Sequence, residues 1–229
     1  MLKSSIKENP ITKFQEGIWL VNKPQGWTSF DVVAKIRALT GIKKVGHAGT
    51  LDPAAEGLLI IAVGKKYTKQ IESYLNLDKE YLAEITLGIR TDSGDRDGIV
   101  LEENKVQVKR AMVEQVVAGL VGVQEQIPPM YSALKIAGKK LYNLARQGLE
   151  VERKARKIEI KKAELIDFTE DNFPKLKIKI LCSKGTYIRV LAEKIGEILK
   201  TGAFLSGLIR TKIGDYNVEN SVSILNNNY

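Results

Sequence analysis

An isolated aspartate follows a basic, glycine-containing segment in the first quarter of the chain. Residues 43–53 read KKVGHAGTLDP, so that Asp52 comes directly before a proline. Glycine lets a backbone approach a ligand closely, and Pro53 biases Asp52 toward an extended conformation that directs its side chain away from a helix. Such a carboxylate is ionised near neutral pH and could act as a nucleophile or a base. By spacing alone, an Asx turn in which Asp52 bonds its own backbone is the favoured alternative.

Other patterns that bind metals or cofactors are missing from the sequence. There is no G-x-G-x-x-G or Walker A segment, which removes the main support for dinucleotide and P-loop binding. One histidine, His47, and one cysteine, Cys182, cannot form a four-ligand zinc site or an intrachain disulfide. The acidic residues 91–98 lack the ligand positions of a calcium loop. A Ser-His-Asp triad could use only His47, and no nucleophile elbow is present.

The elements that must position Asp52 can be predicted from the spacing of apolar residues. Thr28 and Asp31 have capping-box spacing, which predicts a helix that ends near Gly41. Further helices are predicted around residues 112–120, 141–148 and 188–199, the last with a stop at Gly202, and strands at residues 18–21, 58–63, 81–87, from 158 onward and at 175–182. Because helices and strands are interspersed without regular alternation, we predict an α+β fold with a mixed, largely antiparallel sheet flanked by helices and loops.

Composition indicates a globular protein with an anionic partner. The 229 residues suit one large domain, and 44% hydrophobic residues can form a sizeable core. The net charge of +9 favours nucleic acid, although a mild excess of basic residues is also common in soluble proteins. The longest apolar run, residues 58–63, is too short to span a membrane, and the first 17 residues lack the apolar core of a signal peptide. We expect a cytoplasmic protein.

Five segments, in order along the chain, closely resemble the motifs of the TruB family of tRNA pseudouridine synthases. They are VNKPxGxTSxDVV at residues 21–33, GHAGTLDPxxEGLL at 46–59, KEYxxxxxxGIRTDSGD at 79–95, PPMYSALK at 128–135 and CSKGTYIR at 182–189. Glu56 stands where the family frequently has a threonine, which we interpret as tolerated loop variation. The resemblance implies the pseudouridine synthase fold, with an active-site cleft on the sheet.

The resemblance also implies an activity, the isomerisation of uridine 55 in the T-arm loop of tRNA to pseudouridine. The N1–C1′ bond of the nucleotide breaks, the uracil turns, and a C5–C1′ bond forms, with no metal, nucleotide or redox cofactor. Chemistry on a stacked or paired base requires its extrusion into a pocket, so base flipping is expected.

Three residues match the catalytic positions of the family. Asp52 corresponds to the essential carboxylate, Arg189 to the arginine that faces it and keeps it ionised, and Tyr81 to the tyrosine that stacks on the target base. Without the resemblance, an i,i+4 ion pair with Glu193 would be the favoured assignment for Arg189, and Tyr81 would be assigned to the core. Whether Asp52 attacks C1′, adds to the base or removes the 2′ proton stays open.

The same resemblance assigns six residues to substrate binding. They are His47, Tyr187, Leu208, Lys23, Gly49 and Thr50. His47 matches the histidine that binds the RNA backbone near the flipped nucleotide, and Leu208 an apolar residue against the base; Tyr187 could instead be a packing residue. A basic cluster at residues 135–162 is expected to contact phosphates.

We expect residues 1–229 to form one catalytic domain that acts on the T-arm stem-loop of tRNA as a monomer. Family members usually continue into a C-terminal PUA-type RNA-binding domain, and this chain ends at Tyr229, where that domain would begin. We therefore expect the PUA-type domain to be absent and the affinity for tRNA to be weaker. Two other functions remain open at this point: a non-catalytic RNA-binding module or tRNA-folding chaperone, and a glycosidase that releases uracil.

Overall fold

The computed structural model describes residues 14–132, 134–136, 138–145 and 147–224. Residues 133, 137 and 146, which fall in the PPMYSALK motif and the basic cluster, and the terminal residues 225–229 lie outside the described residues. The helices are α1 Ser29–Thr40, α2 Lys65–Thr68, α3 Ile71–Leu75, α4 Arg110–Ala118, α5 Leu141–Ala145 and α6 Ile188–Leu199. The strands are β1 Gly17–Lys23, β2 Val45–His47, β3 Glu56–Val63, β4 Lys79–Leu87, β5 Ile89–Thr91, β6 Val100–Glu103, β7 Gly122–Gln126, β8 Lys135–Ile136, β9 Lys139–Lys140, β10 Arg156–Thr169, β11 Lys175–Cys182, β12 Ala203–Ile213, β13 Tyr216–Asn217 and β14 Val222–Ser223.

One mixed sheet organises the molecule. Its strands follow the order β14-β1-β3-β12-β4-β11-β10-β7, with β13 paired to β12 and β2 paired to β3. The pairs β1–β14 and β3–β12 are parallel, and the other pairs in this sheet are antiparallel. This confirms the predicted α+β fold with a largely antiparallel sheet.

The sheet consists of two halves that meet at β3 and β12. In one half, β1, β3 and α1 enclose a core that includes Val33, Ile36 and Ile61. In the other half, β4, β10 and β11 pack with α4 and α6 around a larger core that includes Leu191 and Ile195. Complete burial of one aliphatic side chain contributes about 1.5–3 kcal/mol, so each half is stabilised largely by its own core. The parallel contact between β3 and β12 has only two register pairs, Ile209↔Glu56 and Arg210↔Gly57.

Helix α1 has the ends that the sequence predicts. The Thr28 hydroxyl accepts a hydrogen bond from the Asp31 N–H at 3.1 Å, and the Asp31 carboxylate accepts one from the Thr28 N–H at 2.7 Å. This reciprocal pair is the predicted capping box. Gly41 ends the helix in the left-handed conformation with φ 71°, which glycine adopts without a steric penalty.

Strand β12 and the C-terminal end of helix α6 differ from the sequence predictions. The sequence AFLSGLIRTKI of β12 does not alternate cleanly, because its register with β4 shifts between Leu205 and Gly207 and again between Arg210 and Lys212. Helix α6 spans the predicted residues Ile188–Leu199, but Lys200, two residues before the predicted stop at Gly202, is the capping residue and adopts the left-handed conformation with φ 59°. Within the described residues, no helix is long and apolar enough to cross a membrane.

Candidate active site

The loop between β2 and β3 carries Asp52. Hydrogen bonds to the main-chain groups of this loop hold it in place. The Ser29 hydroxyl at the start of α1 donates to the Leu51 carbonyl at 3.1 Å and accepts from the Leu51 N–H at 2.8 Å. The Gly26 N–H donates to the Pro53 carbonyl at 2.8 Å, and the Ala55 N–H donates to the Asp52 carbonyl at 3.1 Å. The main chain of the loop is therefore tied to the start of α1 and to the turn after β1.

The Asp52 carboxylate faces the guanidinium of Arg189, with 3.1 Å between Oδ2 and Nη2. The Asp52 side chain is 42% exposed, whereas that of Arg189 is 6% exposed. The structure thus brings together the two residues that the sequence assigned to each other, and it leaves one side of the carboxylate open to a ligand.

Arg189 has further partners that hold its side chain in place. Its Nη1 lies 3.3 Å from Oδ2 of the buried Asp95 and donates to the Ser93 carbonyl at 3.1 Å. Its Nη2 donates to the Tyr131 carbonyl at 2.6 Å. A guanidinium with this many partners has little rotational freedom. Asp95 was quoted in the sequence only as part of the 79–95 motif, so its contact with Arg189 is a finding of the structure.

The start of helix α6, which positions Arg189, is fixed by a distant residue. The amide side chain of Gln126, at the end of β7, donates to the Tyr187 carbonyl at 3.1 Å and accepts from the Tyr187 N–H at 2.9 Å. Helix α6 has no hydrogen bond from a side chain at its N-cap, which is Tyr187. Gln126 is 4% exposed and was not singled out by the sequence, because its role depends on the packing of β7 against α6.

The surroundings of Asp52 act on its pKa in both directions. Burial raises the pKa of the Asp52 carboxyl above its ordinary value, and the negative charges of Asp95 and Asp97 act in the same direction. The positive charges of Arg189 and Lys23 act against this rise. The net direction is upward, so the carboxylate is more basic than that of a solvated aspartate.

Tyr81 and Leu208 lie next to the Asp52 loop on neighbouring strands. Tyr81 on β4 is 9% exposed and belongs to the same buried cluster as Leu51 and Ala55, against which Leu208 of β12 also packs. Burial raises the pKa of the Tyr81 phenol, so the phenol is neutral at physiological pH.

A small pocket opens beside Asp52. Its lining includes Asp52, Asp95, Arg96, Ser206 and Leu208. The pocket therefore presents a carboxylate, a cation and an apolar side chain to the same ligand. An aromatic or heterocyclic ring with polar edges has matching chemistry, because its faces are apolar and its edges form hydrogen bonds.

Three predicted binding residues lie behind the loop rather than in the pocket lining. Lys23 is fully buried, and its Nζ donates to the carbonyls of Pro24 at 2.9 Å and Trp27 at 2.6 Å. Burial lowers the pKa of Lys23 to about 8, while the charge of Asp52 opposes this change. Gly49 and Thr50 direct their carbonyls toward the buried side chain of Arg210.

The other two predicted binding residues lie at the two sides of the site. His47 is the last residue of β2, is partly exposed and pairs in register with Ile61. Tyr187 is partly buried at the start of α6, two residues before Arg189, and burial raises the pKa of its phenol. Within the described ranges, no group of three or more His, Cys, Asp or Glu residues could hold a metal ion.

The chain is similar to known proteins over most of its length. Residues 37–188 match the profile of the TruB family pseudouridylate synthase N-terminal domain. A tRNA pseudouridine synthase B from Desulfotalea psychrophila is 46% identical over 213 residues, which cover 92% of this chain and 87% of that protein. Another, from Phocaeicola vulgatus, is 47% identical over 219 residues, which cover 92% of both chains.

Solved structures show the same similarity in three dimensions. A chain in the crystal structure of a Cbf5-Nop10-Gar1 complex aligns with a TM-score of 0.70 and 27% identity. The alignment covers 96% of this chain and 56% of the other, so this chain spans a little over half the length of that protein.

Proposed function

The chain belongs to the TruB family of pseudouridylate synthases, and on this premise we propose that it isomerises uridine 55 in the T-arm loop of tRNA to pseudouridine. Its relatives named tRNA pseudouridine synthase B support tRNA as the substrate. The observation that carries the site assignment is the Asp52–Arg189 contact of 3.1 Å at the opening of a pocket that Leu208 also lines.

Asp52 is the group that acts on the nucleotide. An ionised carboxylate is needed whether it attacks the sugar, adds to the base or removes a proton, because each of these reactions uses an oxygen lone pair. Arg189 favours the ionised form and restricts the orientation of the carboxylate. The isomerisation breaks the N1–C1′ bond and forms a C5–C1′ bond within one nucleotide, so its atoms balance without an oxidant or a reductant.

The flipped uracil is bound between polar and apolar groups. We assign Tyr81 to stacking on the base, which contributes about 1–3 kcal/mol per base in nucleic-acid complexes. Leu208 and Tyr187 complete the apolar contacts, and His47 is assigned to the RNA backbone. Lys23, Gly49 and Thr50 contribute to substrate binding through the shape of the loop that they stabilise.

The direct test is the treatment of an unmodified tRNA transcript with the native protein and with Asp52→Asn. We expect pseudouridine at position 55 with the native protein, none with Asp52→Asn, and equal tRNA binding by both, measured by mass-spectrometric mapping and filter binding. A transcript with cytidine at position 55 is the matched substrate control.

The three candidate functions give different results in this test. Binding without product from either protein would contradict the proposal and favour an RNA-binding module. Release of free uracil would contradict it in favour of a glycosidase, which separates base from sugar instead of joining them again.

A further inference from the structure

Arg210 is a buried cation for which the proposed reaction has no assigned role. It lies on β12, is 1% exposed and is the largest of the fully buried side chains among the described residues. Its Nε donates to the Leu58 carbonyl at 2.8 Å, its Nη2 to the Gly49 carbonyl at 3.0 Å and its Nη1 to the Thr50 carbonyl at 3.4 Å. One side chain therefore connects β12, the start of β3 and the loop that carries Asp52.

Two glycines lie against Arg210, Gly57 next to its main chain and Gly49 next to its guanidinium. Gly57 pairs with Arg210 in the parallel contact between β3 and β12, and its φ is +109°. A Cβ atom at Gly57 would collide with the main-chain nitrogen and oxygen of Arg210. At Gly49, where φ is +101°, a Cβ atom would lie 3.5 Å from Nη1 of Arg210. Both positions thus need glycine for their backbone conformation, and Gly57 needs it also for the close approach of β12.

Arg210 also lies beside the strand that carries Tyr81. Arg210 and Tyr81 are register partners between β12 and β4, and the charge of Arg210 opposes the rise that burial causes in the pKa of the Tyr81 phenol. The loop with Asp52 connects β2 and β3 of one half of the sheet, while its residues Leu51 and Ala55 pack into the core of the other half, which includes Tyr81. Arg210 is therefore placed between the two halves, where the parallel contact has only two register pairs.

We propose that Arg210 is a positioning residue for the reaction, which sets the place of Asp52 relative to Tyr81 by holding the carbonyls of Gly49 and Thr50 from β12. The inference rests on the proposed function, because it assumes that Asp52 and Tyr81 act on one nucleotide. Efficient catalysis depends on the alignment of reacting groups, and a displacement of about 1 Å can lower a rate by about a hundredfold. We expect lysine not to replace Arg210, because Nε, Nη1 and Nη2 of the guanidinium each donate to a different carbonyl, whereas lysine has a single nitrogen.

The test compares Arg210→Lys and Arg210→Met with the native protein. We expect the single-turnover rate of pseudouridine formation, corrected for the folded fraction, to fall about a hundredfold for lysine and further for methionine. The dissociation constant for tRNA is expected to stay within about threefold, since a loss confined to the rate constant indicates misalignment rather than weaker binding. If Arg210→Met does not fold, the rate and the tRNA affinity of Arg210→Lys alone test the proposal.

Arg37→Lys is the matched control for a purely structural role. Arg37 on α1 also donates to a main-chain carbonyl, that of Val45, at 3.0 Å. We expect Arg37→Lys to lower the melting temperature without changing the rate per folded molecule. Rates for both Arg210 variants within about threefold of native would overturn the proposal, because a positioning role predicts a loss of rate at unchanged affinity.

A crystal structure of Arg210→Lys provides a readout that does not depend on activity. We expect the main chain of residues 49–52 to move and the Asp52–Arg189 distance to change from 3.1 Å. An unmoved loop would contradict the inference. If the native protein made no pseudouridine in tRNA, the proposed function would fail, and this structural result would still decide whether Arg210 positions the loop.

Discussion

The two sides of the Asp52–Arg189 contact are held in place by different kinds of bonds. On the Asp52 side, Lys23 and Arg210 donate hydrogen bonds to main-chain carbonyls. On the opposite side, Arg189 is bound by carbonyls and also by the carboxylate of Asp95. A carbonyl orients a cation without neutralising it, whereas a carboxylate offsets its charge. On the loop side, Lys23 thus has two functions, as an anchor for the main chain and as a positive charge that acts on Asp52, whereas Arg210 anchors the main chain.

Because the Asp95 carboxylate offsets part of the charge of Arg189, the charge balance at Asp52 depends on Asp95. Arg189 is shared between Asp52 and Asp95, so neither carboxylate receives its full compensation. Burial is the main cause that raises the pKa of Asp52 above its ordinary value, the Asp95 charge adds to this rise, and the guanidinium 3.1 Å away opposes it.

The largest effect is expected from Arg189→Met, which removes the shared cation. Loss of the cation from its buried pair with Asp95 costs about 3–5 kcal/mol of stability, and the loss at Asp52 adds less because its side chain is 42% exposed and solvent screens its charge. We expect the rate of pseudouridine formation to fall by at least about a thousandfold. Urea unfolding and single-turnover kinetics measure the two losses. In Arg189→Lys, which keeps the charge, the loss of stability should be smaller; equal losses in both variants would contradict the charge argument.

A moderate effect is expected from Asp95→Asn, which tests the shared-charge argument by pH. Asp95 raises the pKa of Asp52, so its neutralisation lowers that pKa and keeps Asp52 ionised at lower pH. The acid limb of the profile of kcat/KM against pH should move to lower pH. The plateau rate should fall by about ten- to a hundredfold, because a hydrogen bond to a charged group contributes about 1.5–3 kcal/mol.

Asp97→Asn is the matched control for this profile. The Asp97 charge also raises the pKa of Asp52, but Asp97 is exposed, and Asp95, unlike Asp97, contacts Arg189. We expect a smaller shift of the acid limb in the same direction and an unchanged plateau. A limb that stays in place or moves to higher pH in Asp95→Asn would contradict the argument.

A smaller effect is expected from Gln126→Leu, which frees the start of helix α6. The N–H of Tyr187 would lose its partner, while its carbonyl would keep the hydrogen bond from the Leu191 N–H at 3.3 Å; a buried group left unpaired costs about 1–3 kcal/mol. Because Arg189 follows two residues later, we expect a lower kcat at unchanged tRNA affinity. Thermal unfolding and single-turnover rates measure the two effects. A loss of stability with native kinetics would show that Gln126 does not position Arg189.

The smallest effect is expected from Thr28→Ala, which removes the local cap of helix α1. Loss of a threonine N-cap costs about 1 kcal/mol, and α1 is also held by its packing against β1 and β3. We expect slightly lower stability in urea unfolding and a native rate of pseudouridine formation. A fall in rate as large as that of Gln126→Leu would show that both helix starts affect the site equally.

Elements that depend on residues close together in the sequence could be predicted, whereas elements that depend on distant segments could not. Helix α1 was predicted with both ends, because Thr28, Asp31 and Gly41 are neighbours in the chain and act locally. Strand β12 was not predicted as a strand, because the two register shifts interrupt its alternation and its neighbours β3 and β4 are distant in sequence.

The candidate site shows the same limit. Asp52, Arg189 and Tyr81 were selected from motifs, and the structure places the first two in direct contact. Asp95, Gln126 and Arg210 had no distinct signal, because each acts through partners that only the folded chain brings close. Lys23 was assigned to substrate binding, and its complete burial against carbonyls could not be predicted from its motif.

The sequence by itself located Asp52 through its match to a family motif, the glycines and the proline that flank it, and the two ends of helix α1. These features depend on residues a few positions apart, so they can be read without the fold. The tertiary structure decided that Asp52 and Asp95 share the guanidinium of Arg189, and that the cations of Lys23 and Arg210 bind main-chain carbonyls. Such contacts depend on how two sheet halves meet at β3 and β12, where distant segments of the chain exclude water and make each unpaired polar group costly.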